Sequence, residues 1–258
     1  MKRLLTKEEL YKLYWGRGLS TYKIAEIYGV SYQTILYYLK KYGIPTRKRP
    51  KPPEPNLTPS KELAYVLGVL YGDGTVSRCR SVNKKLKKTD YRYVIQLAVV
   101  DRKFAEEFLI ALTRIGLRPK MYILRRSEEE RKKGHRDRWL VVAQSKKFYN
   151  WFKELTLADL EKIVEGYEEH FIRGFYESEG CLDKCFGKKR IRITNTNKNL
   201  IMMACKMLVK LGFKPAIYTQ EYKSQKKRKT AYTLHLYGDR VVDRFLELVR
   251  PCIKKDIK

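Results

Sequence analysis

Two short stretches constrain this chain more than anything else in it. One is Val66-Leu67-Gly68-Val69-Leu70-Tyr71-Gly72-Asp73-Gly74, and the other is Ile172-Arg173-Gly174-Phe175-Tyr176-Glu177-Ser178-Glu179-Gly180. Each reads as an apolar helix with small residues four apart, Gly68 and Gly72 in the first, Gly174 and Ser178 in the second. Each ends in an acid followed by glycine. Small residues at that spacing share one helix face and let two backbones approach closely. Packing the helices on that face sets Asp73 and Glu179 side by side at one end of the pair. A helix C-terminus already carries partial negative charge, so two carboxylates there repel unless a divalent cation joins them. The terminal carbonyls of Gly72 and Ser178 are candidate further ligands. Two buried helices ending in acids by chance would not repeat the same offset in two contexts.

The sequence after each motif repeats as well. In the first half, strands are expected at Thr75–Arg78, Tyr91–Val99, Lys120–Arg125 and Trp139–Ala143, and helices at Asp101–Ile115 and Ser145–Leu155. A basic hairpin loop separates the first two strands, and residues 126 to 137 read as a charged loop. In the second half a short strand follows Gly180, then come strands at Arg190–Asn195, Ala216–Thr219 and Tyr232–Tyr237 and helices at Lys198–Leu211 and Asp239–Val249. Leu112-Thr113-Arg114-Ile115-Gly116-Leu117-Arg118-Pro119 matches Leu208-Val209-Lys210-Leu211-Gly212-Phe213-Lys214-Pro215. Two elements in register make an internal repeat. The expected class is α+β, each half reading α-β-β-α-β-β-α, with the first half at residues 60–165 and the second at 166–258.

At these motifs the chain resembles the LAGLIDADG homing endonucleases, in the single-chain form with two motif copies, over residues 60 to 258. Tyr71 stands where the family often has an upstream acid, and Glu177 keeps one in the second copy; the final acid is present in both. The resemblance implies two curved antiparallel sheets lying in the DNA major groove, arranged with pseudo-two-fold symmetry. It also implies metal-dependent double-strand cleavage across the minor groove, leaving short 3′ overhangs. Magnesium is the expected ion, with manganese able to substitute, because carboxylates and carbonyls suit hard cations. Similar enzymes add polar residues that order water and a lysine that stabilises charge. Asn195 matches the first role in the second half. Its counterpart in the first is Val99, with Gln96 nearby on the opposite strand face. Lys254 or Lys255 is the candidate lysine.

Residues 1–49 read as a separate, all-α unit. Thr6, Ser20 and Ser31 each precede a run of helical periodicity, and Ile35, Leu36 and Leu39 are expected on the inner side of the third helix. Ala25, Gly29, Val30 and Ile35 fit a helix-turn-helix, so Ser31, Tyr32, Gln33, Thr34 and Tyr37 fall on or near a recognition helix. Residues 50–59 form a proline-rich linker expected to be extended, and Arg47, Lys48 and Arg49 ahead of it are expected to follow phosphates.

Composition supports a nucleic-acid partner. Among 258 residues are 57 basic and 28 acidic ones, a net charge of +29, with 20 tyrosines. Such an excess points to a polyanion, with nucleic acid the first candidate. Arg78, Arg80, Arg92, Lys120, Arg190, Arg192 and Tyr222 lie on expected strands or hairpins as candidate DNA contacts. Alternation sets Arg190 and Arg192 on one sheet face with Ile191 and Ile193 on the other. No apolar stretch reaches membrane-spanning length. The five cysteines show no disulfide or zinc rhythm, and abundant Lys beside scarce Asn and Gln suggests a thermophilic source. The expectation is a monomeric, cytoplasmic DNA endonuclease. Its rivals are a catalytically silent DNA-binding regulator of the same fold and a maturase acting on intron RNA.

Overall fold

Three hydroxyl caps start the helices of the first unit. The structure, a computed structural model, describes residues 5–47, 54–83, 88–223 and 228–253, which fall into two compact units, Met1–Lys51 and Pro52–Lys258. Thr6, Ser20 and Ser31 accept hydrogen bonds from the amides of Glu9, Lys23 and Thr34, each at 3.2 Å. These start α1 (Lys7–Tyr11, continued by a π turn, Lys12–Gly16), α2 (Thr21–Tyr28) and α3 (Tyr32–Lys41). Gly29 takes φ 63°, the left-handed turn between α2 and α3 that a side chain would resist. Leu10, Tyr14, Ile24, Ala25, Ile35 and Leu39 form the small core. Leu36, expected inside, is exposed, because Ile35 and Leu39 already fill the inner stripe of α3.

The second unit runs α4 (Lys61–Tyr71), β1 (Thr75–Asn83), β2 (Lys88–Val99), α5 (Arg102–Arg114), β3 (Lys120–Leu124), α6 (Glu128–Lys132), β4 (Arg138–Gln144), α7 (Lys146–Glu154) and α8 (Leu157–Val164). It then repeats as α9 (Glu168–Glu179), β5 (Gly180–Cys185), β6 (Lys188–Asn195), α10 (Lys198–Lys210), β7 (Ala216–Lys223), β8 (Arg228–Tyr237) and α11 (Asp239–Val249). The strands form two four-stranded antiparallel sheets ordered β1-β2-β4-β3 and β5-β6-β8-β7. The expected fold class therefore holds. Two helices were not anticipated: α6, within the supposed charged loop, and α8, between the halves. Both start with a complete capping box, on Ser127 with Glu130 and on Thr156 with Asp159. One continuous core spans both halves, from Leu63 to Val249. None of the described helices is long and apolar enough to cross a membrane.

Part of the expected linker belongs to this unit. Pro55 is buried, the Asn56 amide donates to the Ile115 carbonyl at 2.8 Å, and Glu54 pairs with Lys147. Residues 54–59 thus run over the end of α5, while residues 48–53 lie outside the described ones.

The centre of the unit is the α4–α9 pair. A Cβ added to Gly68 would strike the Phe171 carbonyl and lie 2.9 Å from the Phe175 amide. One on Gly174 would strike the Tyr65 carbonyl and lie 2.9 Å from the Val69 amide. Contacts advance together along both helices, so the helices are parallel and backbone meets backbone, as the small-residue spacing requires. Beside this seam Glu177 is buried within a polar cluster. It accepts from the Tyr65 hydroxyl at 2.6 Å, from Arg173 Nε at 3.1 Å and from the Cys252 amide at 2.7 Å. Arg173 also pairs with Glu107 at 2.8 Å. Three donors offset the cost of burying that carboxylate and fasten the chain near Cys252 to α9. Burial and the Glu177 charge raise the Tyr65 hydroxyl far above its ordinary pKa, so it stays a donor.

Candidate catalytic and nucleic-acid site

Because α4 and α9 are parallel, both motif acids leave the same end of the pair. A Cβ on Gly72 would strike that of Ser178, lie 2.9 Å from its hydroxyl and 3.3 Å from Cγ of Glu179. The second acid is therefore packed against the backbone of the residue that precedes the first. Asp73 is exposed and Glu179 half-buried. Asn195 Nδ2 donates to Glu179 Oε1 at 2.9 Å, and its own carbonyl accepts from the Asn197 amide at 2.9 Å. That second bond holds the amide so that its nitrogen faces the carboxylate. The Ser178 hydroxyl donates back to the Gly174 carbonyl at 3.0 Å.

No group of three or more His, Cys, Asp and Glu side chains able to hold a metal occurs among the described residues. The available donors are two carboxylates at helix ends where the dipole is negative, with nearby backbone carbonyls. An all-oxygen set of this kind fits a hard divalent ion that keeps waters or phosphate oxygens as its remaining ligands. It does not fit zinc, which favours nitrogen and sulfur.

The strand registers align the halves residue by residue. Val94 pairs with Gln144 and Val99 with Trp139 in the first sheet; Arg190 pairs with Tyr237 and Asn195 with Tyr232 in the second. Val99 therefore occupies the place of Asn195, and Gln96 that of Arg192. Ile95, Leu97, Ile191 and Ile193 are fully buried and mark the inner faces. Gln96 has the opposite parity and lies on the outer face of its sheet, turned from the side that carries Asn195 in the other half. It is therefore badly placed for the water-ordering role expected of it.

On the outer face of the second sheet Arg190 grips Asp183 through Nε at 2.9 Å and Nη2 at 3.0 Å, while Arg192 Nη2 reaches the same carboxylate at 2.7 Å. Hydrogen bonds from Arg190, then the charge of Arg192, hold the Asp183 carboxyl below its usual range. His235 pairs across the strands with Arg192, and its ring lies 4.5 Å from that of Tyr218. Burial, then Arg190 and Arg192, push the His235 imidazole below its ordinary value. The first sheet sets Arg92 and Lys120 on its outer face. Arg78 and Arg80 share the parity of buried Val76 and fall on the other face, beyond the helices' cover, with Arg78 4.8 Å from the Tyr91 ring. The basic residues expected to act together are thus divided between two faces.

In the first unit Gln33 and Tyr37 are exposed on α3, and Tyr32 stacks on Tyr22 at 4.4 Å. Ser31 and Thr34 bond each other at 2.9 Å as part of the cap. Arg47, expected to follow phosphates, instead donates to the carbonyls of Gly18 and Leu19 and lies over the Tyr14 ring, clamping its own unit. Its guanidinium is consumed by carbonyls that the turn after Gly16 leaves without helix partners. Lys48, Arg49, Lys254, Lys255 and the Tyr222 side chain lie outside the described residues.

Asp183, His235 and Tyr218 were not foreseen. Asp183 was discoverable, since the Phe186-Gly187 turn, with both residues at positive φ, sets the hairpin register that pairs it with Arg190. His235 carried no local signal.

Residues 166–250 match the LAGLIDADG-like domain family. Over 179 residues the chain is 36% identical to an uncharacterised protein of Methanocaldococcus jannaschii, covering 66% of this chain and 62% of that protein's length. It is 27% identical over 166 residues to the homing endonuclease I-DmoI of Desulfurococcus mucosus, covering 62% of this chain and 75% of the relative. The crystal structure of I-DmoI in complex with DNA and manganese matches with a TM-score of 0.52 at 21% identity, over 73% of this chain and 96% of that one. At that identity the likeness is one of fold.

Proposed function

Since residues 166–250 are a LAGLIDADG-like domain within a chain that has the fold of the LAGLIDADG endonucleases, we propose that this protein is a site-specific double-strand DNA endonuclease that uses a divalent ion, magnesium by preference. The observation that carries the reading is that α4 and α9 run parallel, packed backbone to backbone, so that Asp73 and Glu179 leave the same end of the pair. A decayed site would have no need to keep both acids on that seam. Complexes of I-DmoI with DNA and manganese or calcium support a divalent ion and a DNA partner.

Asp73 and Glu179 would hold the ion, with the carbonyls of Gly72 and Ser178 as further donors. When bound, such an ion stabilises charge on the attacking and leaving oxygens of a phosphodiester. The chain's own part is positioning. The α4–α9 seam fixes where the carboxylates sit. Asn195 holds the rotamer of Glu179 through one hydrogen bond and is itself held by the Asn197 amide. Because Val99 replaces Asn195 in the first half, the two strands would be cut at unequal rates; the resemblance to the family implies a product with short 3′ overhangs. The outer sheet faces would contact the major groove, and α3, with Gln33 and Tyr37, would extend the contact.

The test is magnesium-dependent cleavage of a randomised duplex library by wild type, D73N and E179Q. Wild type is expected to cut a single sequence class. Each variant is expected to lose double-strand cleavage by about 10²-fold or more while retaining binding. Undiminished cleavage by either variant would reject the site.

A further inference from the structure

The registers that align the two sheets also match their outer faces position by position, and the centres of those faces differ in kind. Where the second sheet has Arg190, Arg192 and Asp183, the first has Val94, Gln96 and Ser77. Where the second has Thr194, Thr233 and His235, the first has Ala98, Leu140 and Val142. Of the basic residues on the first sheet's outer face, Lys120 and Arg138 begin their strands, and Arg92 lies in the part of β2 beyond its pairing with β4, which ends at Val94.

We propose that the two sheets read half-sites of opposite base composition, the second selecting guanine through Arg190 and Arg192 braced by Asp183, the first selecting A·T pairs through Gln96, Val142 and Leu140. This rests on the reading of the chain as a duplex-DNA enzyme and names what that enzyme recognises. An arginine fork matches O6 and N7 of guanine in the major groove, glutamine matches N6 and N7 of adenine, and apolar side chains meet the thymine methyl. Arginine normally loses rotamer freedom when it docks. Here Asp183, whose side chain is only 13% exposed, takes three N–H bonds and fixes both arginines before DNA arrives. Each guanidinium has five N–H donors, more than Asp183 takes from either arginine, which leaves donors for a base edge. Both Asp183 oxygens are engaged by arginine, which makes Asp183 a poorer acceptor for cytosine N4. In the first sheet no arginine occupies the central positions, and its peripheral basic residues suit phosphate contacts, which position without specifying.

The experiment is a binding selection of the full chain on a randomised duplex library without divalent ion, repeated for R190Q, R192Q and D183N, with circular dichroism to confirm folding. Wild type is expected to select guanine on one side of its site and A·T pairs on the other. R190Q and R192Q are each expected to lose about ten-fold or more in guanine preference at a separate position on that side, leaving the other side unchanged. D183N, which keeps both arginines, is expected to blur both positions more than it weakens binding to random duplex. Equal composition on both sides, or weakening by R192Q that is uniform across all sequences, would overturn the proposal. A wild-type chain that retains no duplex would overturn the DNA reading along with it. Specific binding with guanine preference intact in R190Q and R192Q would overturn this inference alone.

Discussion

The two halves of the second unit share a register and differ in the side chains hung on it. Val94 to Val99 and Arg190 to Asn195 pair with their neighbours in the same way, and both inner faces are aliphatic. At the strand end nearest the acids, the second half has Asn195 bonded to Glu179, and the first has Val99. The second hairpin is short and closed by Gly187, while the first carries longer strands, Thr75–Asn83 and Lys88–Val99. Only the first half contains α6, and α8 links the two. What stays alike is what the shared core demands, because a slip of one residue would turn every core side chain to solvent. Positions outside the core are free to diverge, and the candidate chemistry lies there.

The sharpest way to break this comparison is at the catalytic end. N195A is expected to slow cleavage of one strand by about 10- to 100-fold, the usual cost of losing a group that orients a metal-binding carboxylate, with little effect on the other strand. V99N is expected to bring the two rates closer together. Strand-resolved cleavage kinetics measure both, and equal slowing of both strands by N195A would show that the halves do not act separately. A smaller effect tests where the halves should agree. G68A and G174A each push a methyl into the facing backbone, and each is expected to cost about 1–3 kcal/mol. Chemical denaturation should find the two losses similar; a loss confined to one would mean the seam is not symmetric. The smallest effect concerns His235, which only the second half possesses. Burial and two arginines disfavour its charged form, so it should protonate below its reference value of 6.5. R192Q should raise that midpoint. D183N, by removing a charge that favours protonation, should lower it. An NMR titration with no change in either variant would detach His235 from the Arg–Asp–Arg cluster.

Much of this architecture could be read from local pattern. The caps at Thr6, Ser20, Ser31, Ser60 and Asp101 are side-chain-to-backbone bonds three residues apart, so they are visible within a single turn. The parity of Ile191 and Ile193 against Arg190 and Arg192 is equally local. The short helix α6 was misread because its run of charges suggested a loop, although Ser127 and Glu130 spell a capping box. Arg47 shows the other limit. Its place in a basic run suggested phosphate contact, whereas its partners Gly18 and Leu19 are remote in sequence.

The amino-acid order alone determined that two helices must pack through small residues with an acid at the end of each, because spacing along a helix dictates which residues share a face. It also determined the duplication and the cationic character. Only the tertiary structure decided which acids and arginines meet. Asp183 becomes a brace for two guanidinium groups, Asn195 a guide for Glu179 and Glu177 an anchor for the Cys252 amide. Each of those contacts depends on a hairpin register or on chain brought together from distant positions, and electrostatic partnership acts through space rather than along the backbone.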